Sequence, residues 1–181
     1  MTVKAQSETH SAPPRRIVLT GFMGSGKTTV GPLVARRLGW KFLDVDDVIE
    51  AEAGATIAEL FSRYGEAAFR ERERAAIARL AETDGLILAL GGGAIEHPAT
   101  RELLLKTPGT LLVHLEVELA TTRARCRGTE HLRPILADQA NLHRRYQHRM
   151  PLYRQAHISI AVDTLTPEQA VDAILRAARL G

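Results

Sequence analysis

An open α/β sheet of five parallel strands with helices on both faces is what this sequence predicts. Three observations carry the prediction. Short apolar runs alternate with helix-length periodic segments along the whole chain, as in strand–helix–strand units. The runs are continuously apolar rather than alternating, as strands covered on both faces are. The 181 residues, 45% apolar and 25% charged, suit one globular domain with a sizeable core.

Residues 1–14, rich in Ser, Thr and Pro, are expected to form a disordered tail, and 15–181 a single domain. Strands are expected at 17–20, 41–43, 86–90, 110–115 and 157–162. Helices follow at 27–38, 48–53, 57–80, 99–105, 118–126, 141–153 and 167–180. Two helix starts are signalled by their residues. Thr56-x-x-Glu59 is a capping box, and Thr166-Pro167-Glu168-Gln169 joins an N-cap, a first-position proline and an N3 glutamine. Gly65 is placed to end or bend the third helix. Pro32 removes the helix hydrogen bond to the Thr28 carbonyl, so a local kink is expected there.

Composition excludes several classes. The longest apolar stretch, 86–95, holds three glycines and falls short of the roughly 20 residues a bilayer needs. The N-terminus lacks the apolar segment of a secretory signal. Cys126 is alone, which excludes an intramolecular disulfide or a Cys-rich zinc site, and the seven histidines show no metal-ligand spacing. A cytoplasmic protein without a membrane partner is expected. A net charge of +3 and 4% aromatics provide neither the basic field nor the stacking platforms of a nucleic-acid binder. The charge is unevenly spread: 123–154 holds eight Arg against Glu130 and Asp138, and 44–84 holds eleven acids against five Arg. The basic half suits phosphate and the acidic half a metal or hydroxyls; the alternative is solvated helix faces.

The first strand runs into Gly21-Phe22-Met23-Gly24-Ser25-Gly26-Lys27-Thr28, with a helical pattern after it. This is a P-loop, in which glycines turn backbone N–H groups inward to cradle phosphates and the following helix adds its positive end. Gly24, Ser25, Gly26, Lys27, Thr28 and Thr29 are the expected nucleotide-binding residues. Lys27 is placed to reach the β- and γ-phosphates, and Thr28 to ligate Mg²⁺. The expected fold is therefore the P-loop NTPase type. No Asn-Lys-x-Asp string occurs, which argues against a GTPase. The acids stand after the second strand, in Phe42-Leu43-Asp44-Val45-Asp46-Asp47, where strand ends line the crevice of a parallel sheet. Asp44 is a candidate for the Mg²⁺ shell and Asp46 for a substrate hydroxyl; the alternative for Asp46 or Asp47 is a helix N-cap.

These segments, with Gly65-Glu66-x-x-Phe69-Arg70, Gly91-Gly92-Gly93, Arg133-Pro134-Ile135-Leu136 and Arg149-x-Pro151-Leu152-Tyr153, resemble the shikimate kinases in unbroken order from Arg16 to Leu180. The resemblance implies ATP-dependent phosphorylation of the 3-hydroxyl of shikimate, in chorismate and aromatic amino-acid biosynthesis, by a monomer holding one Mg²⁺. It implies that Asp46 binds ring hydroxyls and takes the proton of the attacking one. Arg70 and Arg149 would hold the shikimate carboxylate, which suits the planar guanidinium fork. The bland alternatives are an ion pair with Glu66, Glu71 or Glu73 for Arg70, and a helix C-terminal cation for Arg149. Gly91, Gly92 and Gly93 would let the ring approach the backbone. Arg133 would fold over the nucleotide on a lid spanning about 126–138, and 45–82 would form the acceptor-binding helical segment. Cys126 stands where many members carry an adenine-side Arg, with Arg125 and Arg127 as neighbours that can substitute. Rivals are a P-loop kinase of another hydroxylated metabolite such as gluconate, and a nucleotide-binding regulatory module without turnover.

Overall fold

The computed structural model describes residues 3–5, 12–128 and 138–180. Arg133 and most of the expected lid lie outside the described residues. The elements are β1 (Val3–Ala5), β2 (Arg16–Thr20), α1 (Lys27–Leu38), β3 (Lys41–Asp44), α2 (Val45–Ala53), α3 (Ile57–Leu80) and β4 (Leu86–Ala89). A 3-10 turn (Ala94–Glu96) leads to α4 (Pro98–Lys106), β5 (Thr110–Glu116), α5 (Leu119–Arg125), α6 (Gln139–Tyr153), β6 (Ile158–Ala161) and α7 (Pro167–Ala177).

The sheet order is β1-β6-β5-β2-β4-β3. The five strands from β2 to β6 pair parallel with one another, as expected. All five residues of β2 and all four of β4 are buried. Successive side chains of a strand point to opposite faces, so such runs require cover on both sides. The expectation of an unstructured 1–14 is corrected at one point: Val3–Ala5 pairs antiparallel with β6, Val3 opposite Ile160. The outer edge of β6 offers unpaired backbone groups that an extended segment can satisfy, whatever its composition.

Helix boundaries follow local chemistry. Thr56 and Thr166 both form complete capping boxes, with Glu59 and Gln169. Gly65 divides α3 into two helices that meet at a kink, its own φ of 78° and ψ of 170° being non-helical, a conformation closed to most side chains. Pro32 interrupts the hydrogen-bond ladder, yet α1 continues through it as one helix to Leu38. Its neighbour Gly31 has a clear purpose, because a Cβ there would stand 2.3 Å from the Phe42 ring. Helix α1 can therefore lie directly on β3. The start of α2 differs from expectation. Asp44, not Asp46 or Asp47, is the N-cap, accepting from the Asp46 N–H at 3.0 Å. The helix thus begins three residues earlier and carries Asp46 in its first turn.

Sheet order decides what meets at the strand ends. The chain leaves β2 for β3 on one side, returns to β4 between them, then crosses to β5 on the other side of β2. The C-terminal ends of β2, β3 and β4 carry the P-loop, the Asp44–Asp46 pair and the glycine triplet respectively. All three therefore open onto the same edge, where parallel sheets bind ligands. No helix of the described residues is long and apolar enough to cross a membrane.

Candidate active site

A cleft of about 570 Å³ opens along this edge. Residues 23–30 of the P-loop and α1 line it, together with Asp44, Asp46, Gly91, Gly92 and Arg149. In the loop, Gly24 and Gly26 adopt left-handed φ values of 74° and 92°, which turn N–H groups inward. Lys27 Nζ donates to the Gly21 carbonyl at 2.7 Å and to the Phe22 carbonyl at 3.3 Å. Those bonds hold the ammonium over the loop that would receive phosphate. Thr28 and Thr29 stand at the helix start, where both line the cleft.

The sequence motifs do not reach the far end of the cleft. Val162, Leu165 and Thr166, between β6 and α7, and Pro167 at the start of α7 line it; the strand-end rule applied to the last strand could have found them. Of the two neighbours of Cys126, Arg125 lines the cleft and Arg127 does not. Arg125 donates to the Gly24 carbonyl at 3.2 Å and to the Val162 carbonyl at 2.7 Å, tying the P-loop to the loop before α7. Cys126 is buried, its sulfur 3.1 Å from where a Cβ on Gly24 would lie. It packs against the P-loop and lines the cleft beside Arg125.

The three glycines each face a different polar group. A Cβ on Gly91 would stand 2.9 Å from Asp46 Oδ1 and 3.0 Å from Glu73 Oε1. On Gly92 it would stand 3.3 Å from Arg149 Nη1, and on Gly93 2.6 Å from Arg70 Nη2. The triplet is thus the spine along which Asp46, Arg149 and Arg70 are brought together from three helices. Arg70 and Gly93 stand beside the cleft rather than among its lining residues. The bland alternative for Arg70 is partly realised, since it bonds Glu73 at 2.7 Å and Glu66 at 3.3 Å while facing Gly93. The alternative for Arg149 is not: it is 6% exposed, and its Nε donates to Glu96 rather than to terminal carbonyls of α6.

Electrostatics sharpen the picture. Burial, then the charges of Asp44 and Glu73, push Asp46 up to about 6, against the pull of Lys27 and Arg70. Burial also raises Asp44 and Glu73. Glu73 is 2% exposed and its Oε1 has no hydrogen-bond partner among the described residues. The sequence held a signal for it: Phe69, Glu73, Ala76, Ile77 and Leu80 share the buried stripe of α3, where a glutamate is costly without a purpose. Tyr153 donates to the Gly92 carbonyl at 2.7 Å and stacks on His114 at 5.2 Å. Burial lowers His114 to about 4, so this ring is neutral at pH 7.

The glycines give a direct test. Gly91→Ala is expected to displace both carboxylates and lower kcat/KM for the acceptor by up to about 10²-fold, since a misplacement near 1 Å can cost that much. The KM for ATP should change little. Steady-state kinetics with each substrate varied in turn check it, and an unaltered acceptor KM and kcat would refute the close approach.

Fold and cleft together define the class: a P-loop nucleotide-binding protein whose phosphate loop shares one cleft with acidic and basic side chains, as in small-molecule kinases. A family model described as shikimate kinase matches residues 23–179. The chain belongs to the shikimate kinase family. It is 42% identical over 163 residues to the shikimate kinase of Symbiobacterium thermophilum, covering 88% of this chain and 93% of that protein. The shikimate kinase of Salinibacter ruber is 42% identical over 161 residues, covering 83% of this chain and 78% of that one. Among solved structures, shikimate kinase from Acinetobacter baumannii in complex with shikimate superposes with a TM-score of 0.82 at 36% identity, over 92% of this chain and 93% of that one. A sugar kinase from Janibacter, 22% identical with a TM-score of 0.61, shares the fold alone.

Proposed function

We propose that the chain transfers the γ-phosphoryl group of ATP to the 3-hydroxyl of shikimate, giving shikimate 3-phosphate and ADP, within aromatic amino-acid biosynthesis. The observation that carries this reading is the convergence of Asp46, Arg149 and Arg70 on three consecutive glycines beside the P-loop. Two guanidinium groups standing in line with the Asp46 carboxylate along the triplet match an acceptor that presents hydroxyls and a single carboxylate on a compact ring.

Chemistry follows from position. The P-loop amides and Lys27 hold the β- and γ-phosphates. Arg70 and Arg149 fix the acceptor carboxylate and so aim one hydroxyl at the γ-phosphorus. The hydroxyl oxygen forms the new P–O bond as the bond to the β-phosphate oxygen breaks, and its proton passes to Asp46. Positioning and charge stabilisation suffice, without a covalent enzyme intermediate. Arg133, on the expected lid, would add positive charge over the transferring group.

Thr28 would ligate one Mg²⁺, and Asp44 would act on its shell. Both line the cleft and offer only oxygen donors, which suits this ion. Among the described residues no group of three or more His, Cys, Asp or Glu could hold a metal. The ion would therefore share its coordination with phosphates and water, its ordinary habit in kinases. When bound, it supplies charge neutralisation for the phosphates. We take the chain to work as a cytoplasmic monomer.

The test is ATP consumption with shikimate and with its neutral carboxamide. Each charge-assisted bond lost is worth roughly 1.5–3 kcal/mol, so the amide should bind at least about two decades more weakly. In Arg149→Ala the gap between acid and amide should shrink, because part of the recognition has already gone. Equal use of acid and amide by the unaltered protein would remove the clamp. Turnover of gluconate in place of shikimate would replace the acceptor.

A further inference from the structure

We propose that Glu96 is a positioning residue, which grips Arg149 by its Nε edge so that its Nη edge faces the acceptor at Gly92. The proposal rests on the reading of Arg149 as a carboxylate-binding residue.

Four observations lead to it. Glu96 Oε1 accepts from Arg149 Nε at 2.8 Å. Nη1 of the same guanidinium lies 3.3 Å from where a Cβ of Gly92 would be. The acid and the acceptor site therefore engage different edges of one planar group and do not compete for the same donors. Glu96 is itself anchored: its N–H donates to the Gly93 carbonyl at 3.0 Å, and Ala94 N–H to the Gly91 carbonyl at 3.1 Å. From α4, Arg101 Nη1 clasps the carbonyls of Ile95 and Glu96 at 2.7 and 2.9 Å. The turn that carries Glu96 and the glycine triplet that receives the acceptor thus form one hydrogen-bonded unit.

A long arginine side chain otherwise loses much rotamer freedom when it binds. Arg149 is almost wholly buried, so a counter-ion also offsets the cost of desolvating it. Burial raises Glu96, but the bond to Arg149 and its charge outweigh that and hold the carboxyl below its ordinary range. Glu96 is therefore ionised throughout the neutral range. Arg70 is held in parallel fashion by Glu73 at 2.7 Å, so each guanidinium of the clamp has its own acid.

Reach and charge separate cleanly. Glu96→Asp keeps the charge and withdraws the acceptor by one methylene; Glu96→Gln keeps the reach and removes the charge. Glu96→Asp and Glu96→Ala are expected to raise the shikimate KM by about tenfold, the loss of one well-aimed charge-assisted bond. The KM for ATP should hold and kcat should change less than KM. Glu96→Gln should recover most of the affinity. For the carboxamide of shikimate the same variants should change KM less than for the acid.

Three results overturn the proposal. One is Glu96→Gln impaired as much as Glu96→Ala while Glu96→Asp works normally, which would assign the role to charge. Another is a lower KM in the Ala and Gln variants, which would make Glu96 a competitor of the acceptor carboxylate. The third is a fall in Tm with an unmoved KM, which would make the pair structural only. Equal use of acid and amide by the unaltered protein would instead refute the clamp itself, so the two failures are distinguishable.

Discussion

Lys27→Ala is expected to fold normally and to lose roughly 10²–10³-fold or more in kcat, the range seen when one preorganised donor to developing charge is removed. The ammonium sits on the P-loop, bonded to the Gly21 and Phe22 carbonyls. Each bond has a charged donor and contributes roughly 1.5–3 kcal/mol to stability, at about 2–4 °C in Tm per kcal/mol for a chain of this size. The activity loss should therefore far exceed any loss of folded protein. Thermal melting and circular dichroism measured beside turnover make the comparison. Near-normal activity in a folded Lys27→Ala protein would sink the assignment of this loop to phosphate.

The second large effect belongs to Asp46. General-base groups contribute roughly 10²–10⁴-fold, so Asp46→Asn should lower kcat by that order while keeping the preference for acid over amide. Asn still bonds a hydroxyl but cannot take its proton. The pH dependence follows from the carboxyl being raised to about 6 by burial and by Asp44 and Glu73. Only the ionised form accepts a proton, so kcat/KM of the unaltered protein should fall as pH drops through about 6, well above the ordinary carboxylate range. In Asp46→Asn that limb should vanish.

Stability should move the opposite way. A carboxyl raised in the folded state binds its proton more tightly there than in the unfolded chain, so its ionisation opposes folding. The penalty is absent below its unfolded value near 3.8, grows as pH rises, and is complete above about 6. Asp46→Asn should therefore melt higher than the unaltered protein at about pH 7–8, and the advantage should shrink toward about pH 4. A variant with lower Tm at high pH and an intact acid limb would deny Asp46 both roles.

Much of this site is legible in the sequence, and the reason is locality. The P-loop is eight consecutive residues whose glycine φ values and helix start are set by the chain next to them. Short ordered motifs mark Asp46, Arg70 and the glycine triplet, and the structure gathers them. Where local chemistry offers two answers, packing chooses. The sequence offers Asp46 or Asp47 as the cap of α2, and the folded chain uses Asp44 instead. Only one of two equally spaced arginines beside Cys126 faces the cleft, because α5 presents Arg125 to Gly24 and Val162. Glu73 can be suspected from its place in an apolar stripe, but its orphaned oxygen is visible only in the folded molecule.

The five parallel strands, the helices other than the start of α2, the capping boxes, the break at Gly65 and the phosphate loop are thus legible in the sequence alone. Helix bonds and caps close within a few residues, and the apolar runs mark the five parallel strands, although the ladder bonds of those strands join distant segments. Which distant groups become neighbours is settled only by the packing of the whole chain. Glu96 meets Arg149 across 53 positions, and Tyr153 meets Gly92 across 61. The loop before α7 meets the P-loop through Arg125, and Val3–Ala5 finds the free edge of β6. These contacts are set by the strand order β1-β6-β5-β2-β4-β3, which departs from chain order. That order is chosen by the burial of whole faces, a free energy summed over the core that no short stretch of residues carries.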